Sequence, residues 1–156
     1  MIDLHCHSIF SDGTNTPEEL VDLATEANLS ALALTDHDTT GGLERLFQAA
    51  SKTSVEAVVG IELSAEFNHA PLHILGYFFD PDHAALQREL KWIQDGRAER
   101  NEKILSRLNA LGYELTATDI EKHAGTDLIG RPHFTAALLE KGYFKQPDKV
   151  YRQLLG

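Results

Sequence analysis

Two histidines separated by a single residue at the end of a strand, followed by an acid a short loop away, can offer a metal ion two imidazoles and a carboxylate at once. The opening stretch MIDLHCHSIFSDGT has this pattern in His5, His7 and Asp12. On a strand, residues i and i+2 share a face, so His5 and His7 point the same way. Gly13 allows the tight turn that brings Asp12 back. A His-x-His pair by itself also fits a polar strand end with two exposed rings. Further along, TDHDTTGG sets Asp36, His37 and Asp38 directly behind an apolar run. Helix-capping preferences account for Asp38 or Thr39 but poorly for His37. Glu62 follows the apolar VVGI, and a charge in such a place is rarely structural unless paired. His73 lies inside LHILGY; read alone, it fits a hydrogen-bonded core histidine as well as a ligand. Together these side chains form the imidazole and carboxylate set expected for zinc, manganese or iron. Cys6 should point to the opposite face from its histidine neighbours, as a core residue and not a thiolate ligand.

The elements that must position these residues follow from patterning. IDLHC, residues 2–6, reads as a strand. Thr16, Pro17 and Glu19 give a helix start with a capping box, and the apolar stripe Leu20, Leu23, Ala24, Ala27 carries the helix to Ala27. Residues 30–35 read as a second strand, Gly41 and Gly42 lead into a helix through Ala50, residues 55–63 form a third strand and residues 72–78 a fourth. The β-α-β-α-β order predicts a parallel sheet with crossover helices. His5, His7, Asp36, His37, Asp38 and Glu62 then fall at or just past strand C-termini, the functional edge of such sheets. After Pro81 the pattern becomes helical: a long helix over 83–111 weakened at Gly96, a start at Thr116, a helix over 131–141 opening with Pro132, and another over 147–155.

The chain has 156 residues, the size of one domain. Its net charge of −10 is uneven. Residues 1–83 hold fourteen acids against Arg45 and Lys52, whereas residues 84–156 hold ten acids against twelve bases. An acidic first half suits cation binding and argues against coating nucleic acid by general charge attraction. No apolar stretch is long enough to span a membrane, and the N-terminus lacks the pattern of a secretory signal. The single cysteine excludes an internal disulfide framework. These absences lead us to expect a cytoplasmic setting.

IDLHCHSIFSDGTNTPEEL, LALTDHDTTGG, VVGIELSAE, HILGYFFD and GRPHFTAALLEKG, in that order, resemble the PHP (polymerase and histidinol phosphatase) family, and within it the small stand-alone metal-dependent phosphoesterases. The resemblance implies an α/β fold, part of a distorted seven-stranded β/α barrel, with residues 1–80 as its N-terminal part and 81–156 as a helical insertion. It implies two or three divalent ions, often manganese, with zinc or iron also suitable. His5, His7 and Glu62, with Asp12, His37 and His73, match the metal-site positions; Asp12 and His37 also match positions that line the reaction centre. Arg131 and His133 match the insertion motif that faces the substrate phosphate, where His133 would protonate or orient the leaving group. The implied reaction is hydrolysis of phosphate esters of nucleotides, nucleoside bisphosphates or short 5′-phosphorylated RNA. The family's Ala-His-Pro-Gly and Ser-Asp-x-His motifs do not occur, so the sequence reads as the first half of the domain. Such a fragment should expose an open sheet edge and apolar faces, and either self-associate or keep only part of its fold. Two other readings stand beside this one: a metal-binding or regulatory module without turnover, and a different, amidohydrolase-like metal hydrolase.

Overall fold

The computed structural model describes residues 1–68 and 70–155. Two compact units are present, Met1–Ile93 and the residues from Gln94 onward, and each is described by itself.

The first unit is a four-stranded sheet with two covering helices. In chain order it contains β1 (Ile2–Cys6), α1 (Pro17–Glu26), β2 (Ala31–Leu34), α2 (Leu43–Ala50), β3 (Glu56–Phe67) and β4 (Ala70–Tyr77). The sheet order is β1-β2-β3-β4. β1, β2 and β3 are parallel, with Ile2 opposite Ala31 and Ala31 opposite Glu56. β2 is buried along its whole length, which is why ALAL lacks the alternation of a half-exposed strand. Leu32 and Leu34 pack with Val21 and Ala24 of α1 and with Leu43, Leu46 and Ala50 of α2. α1 starts where its capping box requires: the Thr16 hydroxyl accepts from the Glu19 N–H, and the Glu19 carboxylate accepts from the Thr16 N–H at 2.7 Å. Arg45 of α2 forks onto Glu18 of α1 at 2.8 and 2.6 Å. Cys6 packs against this core, as its place on β1 predicts.

The parallel order expected of the first three strands holds. β4, whose direction the sequence left open, returns antiparallel to β3 as a hairpin that pairs Gly60 with Tyr77 and Phe67 with Ala70. One expectation changes: β3 is longer than the expected 55–63. Glu62 therefore lies within a strand and not at its end. The hairpin leaves β4 outermost, with Leu72, Ile74 and Leu75 exposed, and Ile2 is exposed on β1 at the other edge.

Helix α3 (Ala84–Ala110) runs without interruption through Gly96. The second unit, which takes in α3 from Gln94 onward, contains α4 (Ala117–Glu121), α5 (Arg131–Glu140) and α6 (Pro147–Val150), and α6 continues into a π-helical turn over Tyr151–Leu155. This turn takes the place of the expected regular helix to 155. Leu108, Ile120, Phe134, Leu138 and Val150 form the core of the unit. A second capping box, Thr116 with Asp119, starts α4. No helix among the described residues is long and apolar enough to cross a membrane.

Candidate metal centre

β1 ends at Cys6, so His5 lies on the strand and His7 just beyond it, with ring centroids 5.1 Å apart. The following loop folds tightly: the Ser11 and Gly13 N–H groups both donate to the Ser8 carbonyl. A Cβ on Gly13 would collide with the His7 carbonyl, so glycine is required here by close backbone approach. The folded loop carries Asp12 back to His7, whose Nδ1 lies 3.5 Å from Asp12 Oδ1. After β2 the chain leaves the regular ladder, yet His37 still forms a parallel bridge with Glu62. Two backbone hydrogen bonds make this bridge, Asp38 N to Glu62 O at 3.0 Å and Glu62 N to Asp36 O at 3.3 Å. His73 of β4 stands opposite Ser64 and so reaches the same place from the hairpin.

Glu62 is the hub. It is buried, and its Oε1 lies 2.7 Å from His73 Nδ1. Its Oε2 faces three rings, at 2.9 Å from His5 Nε2, 3.0 Å from His7 Nε2 and 3.7 Å from His37 Nδ1. His37 Nε2 lies 3.7 Å from Asp12 Oδ2. Burial works to raise the Glu62 carboxyl, but the His5 hydrogen bond and the nearby His37, His7 and His73 rings outweigh it and hold it below its usual range. Three triads each bring their ligand atoms within 4.8 Å of one another: His5, His7 and Glu62; His7, Asp12 and His37; and His37, Glu62 and His73. The fold thus brings together all six residues singled out as ligands. His73 is a half-exposed member of the group and not a core histidine.

The donor set fits divalent ions. A neutral imidazole carries one N–H, and its other nitrogen presents a lone pair. Several ring nitrogens crowding one carboxylate repel it unless protons or a cation lie between them. A tetrahedral ion with bonds of about 2.0–2.2 Å separates its ligand atoms by roughly 3.3–3.6 Å, within the range spanned by the six pairs above. Four imidazoles and two carboxylates suit zinc, manganese or iron. Cys6 packs on the core side of β1, where burial, then Asp3 and Asp36, push its thiol up to about 11.

Arg131 and His133 belong to the second unit. Arg131 Nη1 donates to the Leu155 carbonyl at 3.0 Å. His133 is buried and caps its own helix, its Nδ1 accepting from the Gly130 N–H at 2.9 Å. Composition and spacing gave no role to Ser8, Ser11 and Ser64, which hydrogen-bond the acids on either side of His37.

A curated 3′,5′-nucleoside bisphosphate phosphatase of Chromobacterium violaceum is 37% identical over 155 residues, covering 99% of this chain and 54% of that protein. A 5′-3′ exoribonuclease of Haemophilus influenzae is 32% identical over 154 residues, covering 99% and 56%. A solved structure from Chromobacterium violaceum, described as an amidohydrolase with bound sulfate and no metal, superimposes with a TM-score of 0.94 at 36% identity, covering 99% of this chain and 55% of that one. The chain therefore spans about half the length of the relatives it matches. The PHP domain model matches residues 3–154, and with the strand-borne histidine and carboxylate cluster in place, the chain belongs to the PHP domain family.

Proposed function

We propose that this chain supplies one wall of a divalent-metal phosphoesterase centre that hydrolyses phosphate esters of nucleotides, with nucleoside bisphosphates or short 5′-phosphorylated RNA as substrates. The observation that carries this reading is the convergence of His5, His7 and His37 on a single oxygen of Glu62. His5, His7, Asp12, His37, Glu62 and His73 would hold two or three ions, manganese by preference, with zinc or iron also fitting the donors. Bound ions supply Lewis-acid polarisation of phosphoryl oxygens and a nucleophilic water at neutral pH. Asp12 and His37 would also line the reaction centre. Residues 1–80 serve as the N-terminal part of the barrel and 81–156 as the helical insertion, with Arg131 and His133 as its residues for a substrate phosphate.

The chemistry of the two insertion residues follows from their hydrogen bonds. Arg131 has a planar fork suited to a terminal phosphate, and one of its nitrogens is anchored on Leu155. His133 accepts at Nδ1, so its neutral ring carries hydrogen at Nε2. It therefore acts as a donor, to a phosphoryl oxygen or to the leaving oxygen, and not as a base.

The relatives support the substrate class, one being named for nucleoside bisphosphates and another for 5′-3′ exoribonuclease activity. Cytoplasmic placement accords with the bacterial relatives and the lone cysteine. The exposed Leu72, Ile74 and Leu75 of β4 favour self-association of the chain in isolation, which size-exclusion chromatography with light scattering reads directly. The decisive experiment measures metal content and phosphate release for this chain and for an extended one, using a 3′,5′-bisphosphonucleotide and a short 5′-phosphorylated RNA. Metal uptake by the chain and turnover by the longer protein are expected. Absence of divalent ions from both would overturn the proposal.

A further inference from the structure

The motif Asp36-His37-Asp38 holds one candidate ligand between two buried acids that the metal-site reading leaves unused. Asp36 is 2% exposed and Asp38 0%. Asp36 turns toward the first loop. Its Oδ1 accepts from the Ser8 N–H at 2.7 Å and the Ser11 hydroxyl at 2.6 Å, and its Oδ2 accepts from the Ser8 hydroxyl at 2.6 Å. Ser8 and Ser11 bracket the turn that delivers Asp12, and Ser11 Oγ lies 3.4 Å from His7 Nδ1. Asp38 turns the other way, accepting from the Ser64 N–H at 2.6 Å and its hydroxyl at 2.7 Å. Ser64 is two residues past Glu62 and opposite His73.

Backbone geometry reinforces this division. Asp38 has φ 54°, in the left-handed region that few side chains other than Asn and Asp accept readily. A Cβ on Gly42 would stand 3.2 Å from Asp36 Oδ2 and 2.8 Å from a Leu34 methyl. Gly42 thus leaves room for the Asp36 carboxylate beneath the start of α2.

We propose that Asp36 and Asp38 are positioning residues. Asp36 sets the loop that bears His7 and Asp12, Asp38 sets the strand that bears Glu62, and together they fix both ligand groups relative to His37. This inference rests on the metal-site reading. Outer partners that orient ligands commonly carry about 10–100-fold of metal affinity. Hydrogen-bonded buried carboxylates hold their donors more firmly than neutral acceptors do.

The test uses the whole chain with Asp36→Ala, Asp36→Asn, Asp38→Ala, Asp38→Asn and Ser11→Ala. In metal-free protein, Asp36→Ala should speed amide exchange at Ser8, Ser11 and Gly13 by at least about tenfold, leaving the core amides of Val21 and Leu46 unchanged. Asp38→Ala should do the same at Ser64. Asp36→Asn keeps an oxygen for the Ser8 N–H and the Ser11 hydroxyl, and Asp38→Asn keeps one for the Ser64 N–H, so both should restore most of the protection. Mn²⁺ affinity, measured by chelator competition, should fall about 10–100-fold in the alanine variants and within about threefold in the asparagine ones. Should an alanine variant unfold, Ser11→Ala removes one donor alone and should still loosen the loop. Unchanged loop exchange in Asp36→Ala or Ser11→Ala would overturn the proposal, as would equal loss in the alanine and asparagine variants. If the wild-type chain takes up no Mn²⁺, the metal-site reading fails, and the metal-free exchange data still decide whether the two acids act as positioning clamps.

Discussion

Replacing Glu62 by glutamine tests the candidate centre at its hub. The substitution keeps shape and removes one negative charge. The backbone bonds that seat residue 62 against Asp36 and Asp38 do not involve the side chain, so β3 should keep its register. What changes is the electrostatics facing four rings at 2.7–3.7 Å. Loss of an outer partner that merely orients a ligand costs about 10–100-fold in metal affinity. Glu62 would be both a ligand and the common partner of four imidazoles, so the loss should exceed about 100-fold, or about 2.8 kcal/mol at 1.4 kcal/mol per decade. The assay is competition for Mn²⁺ or Zn²⁺ against a chelating dye at fixed pH and ionic strength, with thermal unfolding of the metal-free protein followed in parallel. Glu56→Gln is the control: it lies on the same strand, exposed, six residues before Glu62. Wild-type affinity in Glu62→Gln would refute the placement of Glu62 at the ion, and equal weakening in Glu56→Gln would show a general charge effect.

Other perturbations probe the frame. Leu34→Ala, at a side chain 1% exposed between the sheet and its helices, should cost about 2–5 kcal/mol of stability, read by chemical denaturation. Gly13→Ala sets a methyl against the His7 carbonyl and should weaken divalent uptake about tenfold or more through the displaced loop, with little change in helix content by circular dichroism. Cys6 has its thiol raised from 9.0 to about 11, so at pH 8 its thiolate should be about 100-fold scarcer than that of an ordinary cysteine. Its alkylation by iodoacetamide should slow accordingly. Because that pKa is higher in the folded state, its stabilising contribution is complete below pH 9 and is lost as pH rises through about 11. Cys6→Ser should flatten this alkaline decline.

Local chemistry made several elements legible. The Thr16 and Thr116 capping boxes mark helix starts because their hydrogen bonds close within four residues. ALAL is apolar throughout because helices cover one face of β2 while Ala33 and Val58 pack on the other. The strand after Leu72 was legible as a strand but not in its direction. Parallel return needs a crossover of about a dozen residues or more, whereas β3 runs to Phe67 and β4 begins at Ala70. Length alone could have excluded a parallel partner, had the end of β3 been visible. It was hidden because SAEF is polar and part-exposed, and only hairpin pairing extends the strand through it.

The candidate site was legible for a different reason. A ligand must be a residue of a particular type, and strand-borne or strand-end histidines and acids are few, so type and position nominate His5, His7, Asp12, His37, Glu62 and His73 as candidates without knowledge of packing. The residues that hold them in place are not rare. Serine is common in loops and aspartate at helix starts, so Ser8, Ser11 and Ser64 looked ordinary, and Asp38 looked like a cap. What distinguishes them is long range: Asp36 binds residues 28 and 25 positions earlier, and Asp38 binds one 26 positions later. No window of the sequence contains both partners. Glu62 shows the boundary between the two kinds of inference. Its type and apolar surroundings marked it as functional, but its role as the shared partner of four imidazoles depends on three strands and a bridge that exist only in the folded chain.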